Sequence, residues 1–215
     1  MAGVLERVFP LGTSGEVLAG YRSTRFSPMP STFILGPAHC NKSALLMQAA
    51  ISEAAADGQV LYIAPQKLQG LPPSVDGMPH PSSSFLENVR FLDAASQLVN
   101  AARILSLAQE SAEFCSNSPD CRISYPCCVL ASWTLGTGSL KKDEIKAFAK
   151  TWCHYVWSVE RKAKNQDSEE FHLVEEEQGR TCIVEFSLRL LPSPNLLLHQ
   201  VILEEKEQGV AAKGT

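Results

Sequence analysis

A predominant charge sign, long apolar runs and paired cysteine motifs are all missing from this chain, and each absence removes a class of function. The 215 residues carry 19 Lys and Arg against 23 Asp and Glu, a formal net charge of −4. So near-neutral a balance advertises no global nucleic-acid or membrane surface, and any such surface has to be a local patch. No apolar run approaches the roughly 18 residues that span a bilayer. The first residues include Glu6 and Arg7 and lack a signal-type apolar core, so neither secretion nor a membrane partner is expected. The seven cysteines are odd in number, irregularly spaced and nowhere in C-x-x-C order. That argues against a disulfide framework and fits a reducing compartment. It also favours buried free thiols over zinc for Cys115, Cys121, Cys127, Cys128 and the Cys153–His154 pair.

What is present is a globular composition, 45% hydrophobic and 20% charged, with mean hydropathy near zero. This length suits one α/β domain, or one domain with appendages, and can bury a sizeable core. The most informative stretch is residues 31–46. Gly36, Lys42 and Ser43 fill three of the four fixed positions of the phosphate-binding loop G-x-x-x-x-G-K-[ST], and Asn41 stands at the second glycine. Phe33, Ile34 and Leu35 form the apolar strand that such a loop follows, and a helix-forming run from Ala44 to Ala56 comes after it. The backbone of Gly36, Pro37, Ala38, His39, Cys40, Asn41, Lys42 and Ser43 would wrap a phosphate, every residue but Pro37 offering an N–H, together with the positive end of the next helix. Lys42 adds a point charge, and Ser43 offers its hydroxyl to a magnesium ion. Asn41 is the mildest replacement for glycine because Asn tolerates left-handed backbone angles. The plainer alternative is an ordinary strand–turn–helix with a lysine at the helix start.

Along the chain, residues 1–30 are expected to be a flexible lead-in, 31–203 a P-loop domain and 204–215 a charged tail. A strand at 31–35 and a helix from Ser43 to about Ala56 lead to a second strand, Val60 to Ala64, making a βαβ unit. The residues from Pro65 to Ser84 hold five prolines and are expected to form an exposed loop. Val89 to Leu92 suggests a short strand, with Asp93 capping a helix through about Gln109. Cys127 to Ala131 suggests a third buried strand, and Lys141 to Lys164 one long helix. A hairpin around Gln178–Gly179 and a last strand from Leu196 to Leu203 complete an α/β core with a β-rich C-terminal end.

The basic stretch from Lys141 to Lys164 includes Lys141, Lys142, Lys146 and Lys150, with Trp152, Tyr155 and Trp157 interleaved. A charged track with stackable aromatics suits single-stranded DNA. An amphipathic helix with solvated lysines and core aromatics is the favoured alternative. The acidic stretch Asp167, Glu169, Glu170, Glu175, Glu176 and Glu177 is expected to be a solvated face or loop. Asp143 and Glu144 fit the first turn of a helix, where acids complement the dipole. No catalytic residue can be assigned.

The run Phe33-Ile-Leu-Gly-Pro-Ala-His-Cys-Asn-Lys-Ser-Ala-Leu-Leu46, with Gly58-Gln-Val-Leu-Tyr-Ile-Ala64, Leu68-Gln-Gly-Leu-Pro72 and Val89-Arg-Phe91, resembles a RecA-type ATPase core. More narrowly it resembles the recombinase paralogues of the vertebrate Shu complex that pair with a SWIM zinc-domain protein. The resemblance covers residues 31 to about 110. It implies a RecA-like fold with a mostly parallel sheet flanked by helices, and a nuclear accessory role in homologous recombination. It also implies binding of ATP, magnesium and single-stranded DNA, heterodimer formation with the SWIM-domain protein, and contact with recombinase filament proteins. The departures are as specific as the matches. Ser132 stands where the family places a magnesium-assisting aspartate after the third strand, and Ser132 to Ser139 contains no acid. Pro65-Gln66-Lys67 follows the second strand, without a carboxylate to polarise water. Phosphoryl transfer needs the phosphates cradled, the metal held and a water oriented, and only the cradle is well represented. Hydrolysis is therefore expected to be weak or absent. A scaffold with a relic loop and a small-molecule kinase are the alternatives.

Overall fold

The computed structural model describes residues 8, 31–64, 73–75, 83–93, 103–111, 129–135, 141–177, 180–190 and 194–205. The first strand, β1 (Ser31–Gly36), is buried at every position. That is what a continuous apolar run predicts for a strand covered on both faces. After the loop comes the 14-residue helix α1 (Lys42–Ala55). Just past its cap, Ala56, Asp57 takes the left-handed position at φ 61°, and Gly58 N–H turns back to Glu53 O at 2.9 Å.

β1 sits between two parallel neighbours, β5 (Val129–Thr134) and β6 (Tyr155–Lys164). Beyond β6 the sheet turns antiparallel through β7 (Ser168–Glu177), β8 (Arg180–Arg189) and β9 (Asn195–Glu205). The short β3 (Ser74–Val75) pairs with β9 and closes a seven-stranded sheet of order β3-β9-β8-β7-β6-β1-β5. A second, two-stranded parallel sheet joins β2 (Val60–Ala64) to β4 (Val89–Asp93), just after the short helix α2 (Ser83–Glu87).

Two apolar layers flank the centre. On one face Leu45 and Ala49 of α1 pack with Ile34, Trp157, Val159, Phe171, Val184 and Phe186. On the other, Ile145 and Ala149 of helix α3 (Lys142–Trp152) join Phe33, Leu35 and Val156, with Leu105 from a helical stretch over 103–111. Alternate β1 residues thus feed opposite layers, as strand geometry requires. Among the described residues no helix is long and apolar enough to cross a membrane.

The α/β class, the flanking helices and the β-rich end agree with the sequence, but several local expectations need correction. β2 is not paired with β1. Both edges of β1 are taken, by β5 and β6, so β2 pairs with β4 instead, and α1 touches strands of both sheets. The expected helix from Lys141 to Lys164 stops at Trp152, and Tyr155 to Lys164 is a strand. Val156, Trp157, Ser158 and Val159 are buried in succession there, a pattern a one-sided helix cannot show. The acidic stretch is strand β7, with Glu169 and Glu175 buried. Asp93 is the last residue of β4; residues 94–102 lie outside the described residues, and 103–111 is helical. Within the expected proline-rich loop, Val75 is buried on β3. Val8 is helical and buried in the larger core cluster. The other residues of the expected lead-in, and those of the tail beyond Glu205, lie outside the described residues, as do Cys127 and Cys128.

Candidate nucleotide site

The loop leaves the carboxyl end of β1 and enters α1, so its backbone turns inside eight residues. Two side-chain-bearing residues take left-handed angles in it, His39 at φ 57° and Asn41 at φ 61°. Such angles cost roughly 1–2 kcal/mol for most L-residues and less for Asn. Asn41 therefore occupies the position the loop pattern gives to glycine, in the backbone conformation that glycine supplies.

That conformation has a second effect. A helix N-cap normally sits in extended backbone and commits its side chain to an orphan N–H of the first turn. Asn41, left-handed, makes no such side-chain bond. The first intrahelical bond runs from Leu45 N–H to Asn41 O at 3.0 Å, so the N–H groups of Lys42, Ser43 and Ala44 have no intrahelical acceptor. The first turn of α1 also lacks an acid. Uncommitted donors and an uncompensated positive helix end are the chemistry of an anion site.

Lys42 is 5% exposed. Its ammonium donates to Gly36 O at 3.0 Å, Pro37 O at 2.6 Å and Cys40 Sγ at 3.3 Å, so it ties the exit of the loop back to its entrance. Pro37, Ala38, His39 and Ser43 are exposed, and Cys40 is buried. The entrance is tight. A Cβ on Gly36 would lie 2.6 Å from Cys40 Sγ and 3.1 Å from Val159 O, so glycine is required there by close approach.

The N–H donors of this loop have the chemistry a phosphate needs, whereas among the described residues the magnesium donor set is incomplete. Ser43 presents its hydroxyl, but no carboxylate is hydrogen-bonded or ion-paired to Ser43 or Lys42 among the described residues. Nor do the described residues hold any group of three or more His, Cys, Asp and Glu able to hold a metal ion. Ser132, aligned above with the absent aspartate, lies inside β5 opposite Ile34, and Thr134 is the residue level with Gly36. Leu135 N–H then donates to Gly36 O at 2.8 Å. Of β1, β2, β4, β5 and β6, β4 alone ends in an acid, Asp93.

Sequence reasoning missed Arg161. From β6 its Nη2 donates to His39 O at 2.7 Å, and the same guanidinium lies 3.3 Å from Glu169 Oε2 and 5.9 Å from the Phe171 ring centroid. Taking β6 for helix hid this contact. The candidate DNA-binding residues Lys141, Lys142, Lys146 and Lys150 do gather at α3, with Lys142 paired to Glu160 at 3.1 Å. The aromatics expected to interleave with them do not: Trp157 is core on β6, and Trp152 packs against the smaller cluster. Asp143 and Glu144 occupy the first turn of α3, and Lys141 N–H donates to Glu144 Oε2 at 2.8 Å.

A strand–loop–helix with the spacing of a phosphate loop, at the carboxyl end of a central parallel strand flanked by helices, places this chain among α/β domains with a mixed sheet and an antiparallel end. No protein-family model matches the chain, and no curated protein matches it. Similar solved structures include the flagellar accessory protein FlaH from Methanocaldococcus jannaschii, at TM-score 0.43 and 8% identity over 80% of this chain and 91% of that one. A DnaB-like replicative helicase aligns at TM-score 0.41 and 10% identity, over 78% of this chain and 58% of the helicase. The ATPase domain of a third protein aligns at TM-score 0.41 and 9% identity, over 75% of this chain and 82% of that domain.

Proposed function

We propose that this chain is a nucleotide-binding accessory subunit of homologous-recombination DNA repair, with ATP held by residues 36–43 and hydrolysis weak or absent. The observation that carries nucleotide binding is the pairing of left-handed Asn41 with Lys42, which leaves the first N–H groups of α1 uncommitted and fixes the loop entrance. That no carboxylate among the described residues partners Ser43 supports weak turnover, because metal and water positioning supply most phosphoryl-transfer catalysis. Action in the nucleus, heterodimer formation with a SWIM zinc-domain protein, and contact with recombinase filaments and single-stranded DNA are carried by the sequence resemblance alone.

A second reading, a scaffold with a relic loop, has one observation in its favour. All the polar contacts described for Lys42 are made within the loop itself. Equilibrium binding of a fluorescent ATP analogue to wild type and Lys42→Ala separates the two. Binding by wild type and its loss in the variant is the expected outcome. Equal signals, or none from either, would remove the nucleotide reading and leave the scaffold.

A further inference from the structure

We propose that Arg161 is a positioning residue for nucleotide binding, bracing the apex of the phosphate loop from the neighbouring strand; this rests on the nucleotide reading above. The loop is held at its entrance, its apex and its exit. Lys42 holds the carbonyls of Gly36 and Pro37 at the entrance. The start of α1 holds Asn41 O at the exit. Between them His39 is exposed and left-handed, and the hydrogen bond from Arg161 at 2.7 Å is the described hold on it.

The brace stands on a rigid base. Phe171, beneath the guanidinium, is 1% exposed and stacks on Phe186 with ring centroids 5.3 Å apart. Glu169, at 3.3 Å, is buried. Arg161 itself remains 38% exposed on its side chain, and its Nη2 meets both the loop carbonyl and Glu169. A planar guanidinium can donate to a carbonyl and a carboxylate in different directions while lying on a ring, whereas an ammonium is a single point charge. Removing Arg161 need not unfold the chain, because Glu169 keeps Lys164 at 2.7 Å and is not left as an unpaired buried charge.

By this assignment Arg161 never touches phosphate. It fixes the backbone direction at residue 39, and with it the aim of the loop N–H groups. Its effect is therefore indifferent to the base and sugar of the nucleotide. It also predicts that loop geometry and the β6–β7 hairpin respond to each other.

The test uses the full chain as wild type, Arg161→Ala, Arg161→Lys and Lys162→Ala. Lys162 is a control because it pairs with Glu185 and not with the loop. Affinities for a fluorescent ATP analogue and for inorganic tripolyphosphate are measured, with amide hydrogen exchange over residues 36–43 in the absence of ligand. Loss of one charged hydrogen bond at a half-exposed site is expected to weaken both ligands by the same factor, on the order of five- to tenfold. Exchange at 36–43 is expected to quicken at unchanged melting temperature, with Arg161→Lys intermediate and Lys162→Ala like wild type. Arg161→Ala binding like wild type, while Lys42→Ala does not bind, would overturn the brace and leave the nucleotide reading standing. Weakened binding with unchanged exchange would make Arg161 a direct phosphate contact and equally overturn the positioning role. If wild type binds neither ligand, the nucleotide reading itself fails and this proposal with it.

Discussion

Replacing Gly36 with alanine isolates the closest approach in the site. The added Cβ would stand 2.6 Å from Cys40 Sγ, 3.1 Å from Val159 O and 3.2 Å from Val159 Cβ. Ordinary contacts between such atoms lie at about 3.5–4.0 Å. The first contact is therefore short by roughly 1 Å, and the other two by about a third of that. Cys40 is fully buried and its sulfur accepts from Lys42, so it has little room to turn away. Val159 O belongs to the backbone of β6, beside β1, and cannot rotate. Overpacking of this kind costs about 1–3 kcal/mol, and two unyielding neighbours place Gly36→Ala at the upper end. For a chain of this size that is a fall of about 4–12 °C in melting temperature. Urea unfolding followed by circular dichroism, at constant m-value, reads the change directly. The double variant Gly36→Ala/Cys40→Ala removes the sulfur and keeps the carbonyl contact. It should recover about 1 kcal/mol of the sum of the two single costs. Strict additivity would show that the sulfur is not the obstacle, and a Gly36→Ala variant within about 0.5 kcal/mol of wild type would refute the packing account outright.

Two further outcomes follow from the antiparallel end and the β1 entrance. The Glu185 carboxyl is held down to about 2, against an ordinary 4.5, by a hydrogen bond from Gln200 and then by Lys162, with His172 nearby. His172 Nε2 lies 2.8 Å from the carboxylate without hydrogen-bond alignment. A depressed folded value contributes stability that is fully present above the unfolded value and lost as pH falls through the folded one. Wild type should therefore lose stability between about pH 4.5 and pH 2. Glu185→Gln should show a shallower acid limb in pH-dependent unfolding, and an unchanged limb would refute this. Burial pushes the Cys153 thiol up to about 11, against the opposing hydrogen bond from Ser31. The native chain should therefore resist iodoacetamide at Cys153 at pH 8 and react there only in denaturant. Rapid native alkylation, read by mass spectrometry, would contradict the burial.

The strand–turn–helix of residues 31–55 was legible because its pattern is local: an apolar strand, a fixed spacing and a residue able to take φ 61°. The hairpin of β7 and β8 was legible too, with Glu177 opposite Arg180. Pairing across the sheet was not. Val60 to Ala64 is a good buried strand, but nothing in those five residues says that both sides of β1 are already occupied. The break between α3 and β6 was hidden by a coincidence of spacing, since Ile145, Phe148, Trp152, Tyr155 and Val159 follow helical intervals across two elements. The uninterrupted burial of 156–159 was the opposing signal, and only the parallel neighbour β1 explains it. Arg161 escaped notice for the same reason, because its contact with His39 spans 122 positions. Which acid, if any, serves the loop depends on strand ends, and those are set by register.

Lys42 carries a lesson about inheritance. Its ammonium satisfies two carbonyls and a thiol inside its own loop, in a setting that is 5% exposed. Mutating it would strand those acceptors whether or not a nucleotide ever arrives. Selection for a stable fold alone would then retain this lysine in a lineage that had abandoned ATP. In descendants of such a loop, the lysine is the last signature residue to decay and the least informative about turnover. The acids and the brace, which the fold can spare, are where loss of function would first be written.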